Sequence, residues 1–150
     1  MATANVLTGD GVGPMLASAL AGLDATLLSW QPRDVTVRGR RGATASYSVR
    51  TRWADGTETT ETIGAGTGPG ADGAPIFVAE GTQHVGIWSL RSDPDLPAMG
   101  VALDPHSVGA LFTARGVSEP VRLDVVAYRP RRRAVIRATA GADRLYVKVV

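Results

Sequence analysis

The chain has 150 residues, 44% hydrophobic and 20% charged, which suits one ordinary domain with a core and excludes a disordered tail. It contains no cysteine, which excludes a disulfide framework and any thiolate metal site. The net charge is only +2, so basic character is local: Arg38, Arg40 and Arg41 form one cluster, and Arg129, Arg131, Arg132 and Arg133 another. No stretch approaches the roughly 20 apolar residues of a membrane span. The N-terminus has no basic segment leading into an apolar one, so a cytoplasmic protein without a membrane partner is expected.

Residues 12–23 are expected to form a helix, with Met15, Leu16, Ala19, Leu20 and Leu23 on one face, Pro14 in the first turn, and Asp10 or Gly13 as cap. A strand-rich stretch follows: Leu27, Leu28 and Trp30 precede Pro32, and Val35 and Val37 come after it. From Ala43 to Trp53 the alternation is clean. Ala43, Ala45, Tyr47, Val49 and Trp53 share one face, and Thr44, Ser46, Ser48, Arg50 and Arg52 share the other. Asp55-Gly56 supplies the positive φ values of a tight hairpin turn, and a threonine-rich strand returns from Thr57 to Ile63. Residues 64–74, GAGTGPGADGA, lack the Gly-Lys-Ser/Thr of a phosphate loop and are expected to be a flexible connector.

Ile76–Ala79 and Val85–Leu90 read as two strands around Gly81, followed by a polar loop at Asp93-Pro94-Asp95-Leu96-Pro97. Asp104-Pro105 predicts an N-cap and first helical residue, with Val108, Leu111 and Phe112 as the apolar stripe and Gly116 as the stop. The last third predicts an antiparallel meander: 121–125, then Ala134, Ile136 and Ala138 alternating with Arg133, Arg137 and Thr139, a turn at 140–143, and Leu145–Val150. Two stretches, Val35–Ala45 and Val126–Ile136, share a strand, basic turn, strand pattern that is too slight to establish duplication. The fold class expected is α+β, predominantly antiparallel strands with two short helices.

Lys148 is the most informative polar residue. It sits among Val147, Val149 and Val150, and an ammonium in an apolar strand must reach water or a partner. Taken alone, it reads first as a strand lysine on a solvated face, since surface lysines are far commoner than functional ones. His84 and His106 have no partner spacing and are expected at a strand edge and in a helix first turn. There is no H-E-x-x-H, no Gly-x-Ser-x-Gly elbow and no acidic cluster with ligand spacing. A basic β-surface dotted with Tyr47, Trp53 and Tyr128 is the alternative binding-module reading, for a nucleic-acid or protein partner. Those aromatics fall on core-like faces and the charge is modest, so nucleic acid is not expected.

The string Tyr128-Arg129-Pro130-Arg131-Arg132-Arg133-Ala134-Val135-Ile136-Arg137, a short turn, and Leu145-Tyr146-Val147-Lys148-Val149-Val150 resembles the first three strands of the kinase lobe of aminoglycoside-phosphotransferase-like and maltokinase-like proteins. Ser29-Trp30-Gln31-Pro32, the Tyr47–Trp53 strand and the Ile87–Pro97 segment resemble their extra N-terminal region. The resemblance implies a cap-like region over 1–115 and the start of a kinase-like N-lobe over 116–150. It implies ATP, with Mg2+, as the cofactor of a complete phosphotransferase acting on a small sugar-like or aminoglycoside-like hydroxyl acceptor. Lys148 would contact the ATP phosphates, with Arg131, Arg132 and Arg133 beside them. The turn has no glycine, unlike a Gly-rich loop. The family's catalytic loop and metal aspartate lie beyond this stretch, so the missing C-terminal lobe is the implied partner, and this chain alone is expected to be inactive. Ending within an apolar strand fits a fragment.

Overall fold

The computed structural model describes residues 6–80 and 83–150. These divide into two compact units, Met1–Pro94 and Asp95–Val150. Residues 95–115 therefore pack with the last three strands.

In the first unit, helix α1 (Val12–Ala21) precedes strands β1 (Thr26–Val37), β2 (Ala43–Arg52), β3 (Glu58–Thr67), β4 (Ile76–Glu80) and β5 (Gln83–Ser89). Gly81 and Thr82 lie outside the described residues. The strands form one antiparallel sheet in the order β1-β2-β3-β5-β4. α1 starts at Gly11 without a side-chain cap and buries Val12, Met15, Leu16, Ala19 and Leu20. Neither proposed capping residue is used. Leu23 lies past the C-cap Gly22 and is exposed, which corrects its expected place on the buried face. The buried helix face packs with Ala43, Ala45, Tyr47 and Val49 of β2, Ile63 and Ala65 of β3, and Val85 and Ile87 of β5. Trp30 meets Tyr47 edge to face, with ring centroids 5.9 Å apart. β1 runs through Pro32 because it is an edge strand, with register shifts between Leu27 and Ser29 and between Pro32 and Asp34. The Asp55-Gly56 turn forms as expected: Gly56 has φ 88°, and the Asp55 carboxylate accepts from the Thr57 N–H at 2.9 Å and the Thr57 hydroxyl at 2.6 Å.

The glycine-rich segment is not a flexible connector. Gly64–Thr67 are the buried end of β3, and residues 68–71 form a 3-10 turn that crosses the sheet toward β4. Three glycines make room for it. A Cβ on Gly66 would lie 2.0 Å from the Gly70 carbonyl oxygen, one on Gly86 would lie 2.9 Å from Cα of Ala71, and one on Gly64 would meet the Trp88 indole. Thr44 and Ser46 are buried on this same side, so the second face of β2 is solvated only toward Arg50 and Arg52. Those two arginines pair with Glu58.

In the second unit, α2 (Met99–Ala102) and α3 (Pro105–Thr113) precede β6 (Val121–Arg129), β7 (Arg133–Ala140) and β8 (Asp143–Val149). The strands form the expected antiparallel meander β6-β7-β8. The four-residue α2 lies between the loop expected at 93–97 and the helix start expected at Asp104, where no element was expected. Asp104 caps α3 as expected: its carboxylate accepts from the His106 N–H at 3.2 Å and the Ser107 hydroxyl at 2.7 Å. The helix closes with Val117 N–H to Phe112 O and Gly116 N–H to Thr113 O, Gly116 having φ 80°, which is the Schellman arrangement. Val108 and Phe112 pack on Ala138 and Ala140 with Leu123, Leu145 and Val147. Leu111 is 51% exposed, which corrects its place in the buried stripe. The β7–β8 turn is two residues long, with Gly141 at φ 59° in the first position.

Candidate functional site

The β7–β8 register decides where Lys148 points. Lys148 lies opposite Val135, while Val147 and Val149 lie opposite Ile136 and Ala134. Ala134, Ile136, Ala138 and Ala140 are all buried, so even-numbered β7 residues face the core. Side chains alternate across a strand. Lys148 therefore stands on the face turned away from that core, and it is exposed. No ion pair or hydrogen bond holds its ammonium among the described residues.

Five further cations share this face by the same parity: Arg122 and Arg129 on β6, Arg133 and Arg137 on β7, and Arg144 on β8. The one carboxylate the strands add to it is Asp124, which is shared between Arg122 at 3.3 Å and Arg137 at 3.7 Å. Arg129 and Arg133 lie directly opposite each other across the hairpin. Like charges in that position repel, and a bound anion relieves the repulsion. Tyr146, 59% exposed, adds a flat aromatic element between Arg144 and Lys148.

The structure thus brings Lys148 and Arg133 onto one surface. Arg132 is exposed in the turn that precedes β7. Arg131 is engaged elsewhere: its guanidinium grips Asp95 through two bonds, Nε to Oδ2 at 3.0 Å and Nη2 to Oδ1 at 3.1 Å. Its side chain is only 11% exposed, and its φ of 64° closes the turn without a glycine. The aromatics of the binding-module reading are not on this face. Tyr47 is buried, Trp53 gives its indole N–H to the Thr59 hydroxyl at 2.7 Å, and Tyr128 pairs with Ala134 on the core side. The sequence reading missed Arg137, Arg144 and Tyr146: Arg144 and Tyr146 alternate in step with Lys148, and Arg137 stands opposite Tyr146.

Neither histidine is on the strands of the basic face. His84 is paired with Ala79 in the first unit, and His106 is in the first turn of α3. No cluster of three or more His, Cys, Asp or Glu side chains suited to a metal occurs among the described residues. No helix among them is long and apolar enough to cross a membrane. No protein family, curated protein or solved structure matches this chain.

Proposed function

We propose that the chain is the front portion of an ATP-dependent small-molecule phosphotransferase, in which the basic face of β6–β8 holds the nucleotide phosphates. One observation carries this reading: Lys148, without an ion-pair partner among the described residues, shares an exposed sheet face with Arg129, Arg133 and Arg137. A triphosphate placed there meets several cationic donors at once, and charge-assisted bonds are stronger than neutral ones. Lys148 supplies a point charge, and Arg133 and Arg137 supply planar forks. The Asp95–Arg131 pair holds the β6–β7 turn in one conformation beside the phosphates. Asp124 is already committed to two arginines, so magnesium ligands and the base come from the remaining lobe in this reading. That lobe also selects the hydroxyl acceptor, sugar-like or aminoglycoside-like, and residues 1–150 by themselves turn nothing over.

The test is a titration of the chain with MgATP and with inorganic tripolyphosphate, followed by amide chemical shifts. Both ligands are expected to shift amides of β7 and β8. Lys148→Ala should weaken each about tenfold, the equivalent of one charge-assisted bond of roughly 1.4 kcal/mol. Absence of binding, or equal binding by the variant, refutes the reading.

A second reading, a non-catalytic binding module, is favoured by Tyr146, which offers a stacking surface among the cations. It predicts strongly salt-dependent binding of a short single-stranded oligonucleotide that is tighter than that of MgATP and is lost in Tyr146→Ala.

A further inference from the structure

The β4–β5 hairpin extends past its neighbour in the sheet. β3 ends at Thr67, opposite Val85, while β5 begins earlier, at Gln83. Before Val85, β5 pairs only with β4, and the chain leaving β3 turns away through residues 68–71. The notch so formed holds a recess of about 370 Å³, lined by the end of β3, by Ala71 and Asp72, and by Phe77, Gln83 and His84. That volume is at the low end of the range for small-molecule sites, about 300–1,000 Å³.

Strand parity brings three side chains together there. Ile76, Val78, Val85 and Ile87 pack into the core with α1, so Phe77, His84 and Gly86 stand on the opposite face of the hairpin. Phe77 lies across from Gly86, and His84 is the next residue on that face of β5. Gly86 has no side chain, and Ala71 rests on it: a Cβ there would lie 2.9 Å from Ala71 Cα. Asp72 follows Ala71. An aromatic ring, an imidazole and a carboxylate thus gather around one glycine. Phe77 is 53% exposed, whereas the chain's other phenylalanine, Phe112, is fully buried. Gln83 adds an orphan: its Oε1 is buried and accepts no hydrogen bond. The His84 imidazole makes no hydrogen bond or ion pair among the described residues. No lysine or arginine lines the recess.

We propose that this recess binds one neutral pyranose ring. Without lysine or arginine it offers an anion little, and a wholly apolar ligand would leave Gln83 Oε1 unpaired, which a buried acceptor tolerates poorly. Its acceptors call for hydroxyl donors, and the exposed Phe77 ring calls for a flat apolar face. A pyranose supplies both. The C–H bonds on one of its faces lie against the electron-rich aromatic face, and its hydroxyls radiate from the edge. One hydroxyl donates to Gln83 Oε1, a second to Asp72, whose carboxylate has about four acceptor sites, and a third pairs with the His84 imidazole. The site lies wholly in the first unit and shares no residue with the basic face of β6–β8, so it does not rest on the phosphate reading.

The test is a titration of the full 150-residue chain with the methyl glycosides of glucose, galactose and mannose, each to about 50 mM, followed by amide chemical shifts. At least one glycoside is expected to bind saturably and to shift amides of residues 67–72 and 83–86. Sorbitol, which carries the hydroxyls without a ring face, should bind at least about tenfold more weakly. Phe77→Ala removes the exposed ring and should weaken binding about tenfold with an unchanged melting temperature. Gln83→Leu removes the unpaired acceptor, so binding should fall about tenfold while the melting temperature holds or rises, a combination that a purely structural glutamine would not give. Absence of a saturable shift with all three glycosides, equal binding of sorbitol, or a Gln83→Leu chain that binds like the parent overturns the proposal. So does tetramethylammonium that shifts the same amides at lower concentration than the sugars, because ring and carboxylate then select a cation.

Discussion

Gly66→Ala tests the packing of the β3–β4 crossover directly. The new Cβ would lie 2.0 Å from the Gly70 carbonyl oxygen and 2.4 Å from the Gly70 carbonyl carbon. The obstacle is backbone, so no rotamer change clears it, and the turn would have to lift by about 1 Å to reach even a tight contact. Overpacking of this kind costs about 1–3 kcal/mol, sometimes more. Removing a glycine from a strand returns about 0.5–1 kcal/mol. With backbone in the way, the upper half of the cost applies, and the net destabilisation should be about 2 kcal/mol. For a unit of this size that lowers Tm by about 8–16 °C. The assay is thermal unfolding followed by tryptophan fluorescence, since Trp88 is fully buried beside this crossover. Gly100→Ala, in the second unit with nothing within 4 Å of its Cβ position, should leave this tryptophan-reported transition unchanged. A Gly66→Ala protein that melts within about 2 °C of the parent would refute the argument that this glycine is required by close approach.

Two further predictions concern buried and capping side chains. The Tyr47 hydroxyl donates to the Leu7 carbonyl at 2.6 Å, and burial pushes its ionisation far above the ordinary phenol range. Tyr47→Phe should therefore cost about 1–2 kcal/mol by denaturant unfolding, because a buried carbonyl loses its donor. The raised folded-state value means that this contribution is complete below the unfolded phenol's titration and is lost as pH rises through the folded one. In an ultraviolet titration Tyr47 should thus ionise only as the first unit unfolds, and ionisation of all three tyrosines in the folded state contradicts the buried bond. Asp104 is held below the ordinary carboxylate range by the Ser107 hydroxyl first and then by the His106 N–H. A depressed value contributes stability above the unfolded carboxyl's titration and loses it as pH falls through the folded one. Asp104→Ala should lower the melting temperature of the second unit at pH 7 and flatten its dependence on acid; an unchanged acid profile counts against the cap.

The parts of the fold legible in the sequence are those decided by neighbours along the chain. The Asp55-Gly56 turn and the Asp104-Pro105 start of α3 each rest on residues within one turn, and each appears as expected, whereas the β2 strand forms but its polar face is exposed only at Arg50 and Arg52. The parts that were not legible are decided across the sheet. The glycines of 64–74 looked like looseness, yet Gly64, Gly66 and Gly86 are small because Trp88, Gly70 and Ala71 occupy the space above them. α2 is one turn long, too short for a helical period to show. Leu23 and Leu111 matched a helical stripe but fall outside its buried part, one past the C-cap and the other at its margin. In the candidate site, Lys148 could be singled out from its strand. Its company could not, because it depends on register: a one-residue change in β7–β8 pairing would set different residues beside it. The engagement of Arg131 by Asp95, 36 residues away, has no local signature at all.

The strand order β3-β5-β4 also bears on how the first unit assembles. β4 touches the sheet only through β5, and the two form a hairpin of adjacent residues whose closure costs little loop entropy. β5 must reach β3 while the 68–71 turn comes to rest on Gly66 and Gly86. A β4–β5 hairpin formed locally would dock on β3 as one body, bringing the Trp88 ring over Gly64. Such an order places the rate-limiting barrier at the seam between β3 and β5, where substitutions would slow refolding, and leaves the β2–β3 hairpin, nucleated by its own tight turn, to form early.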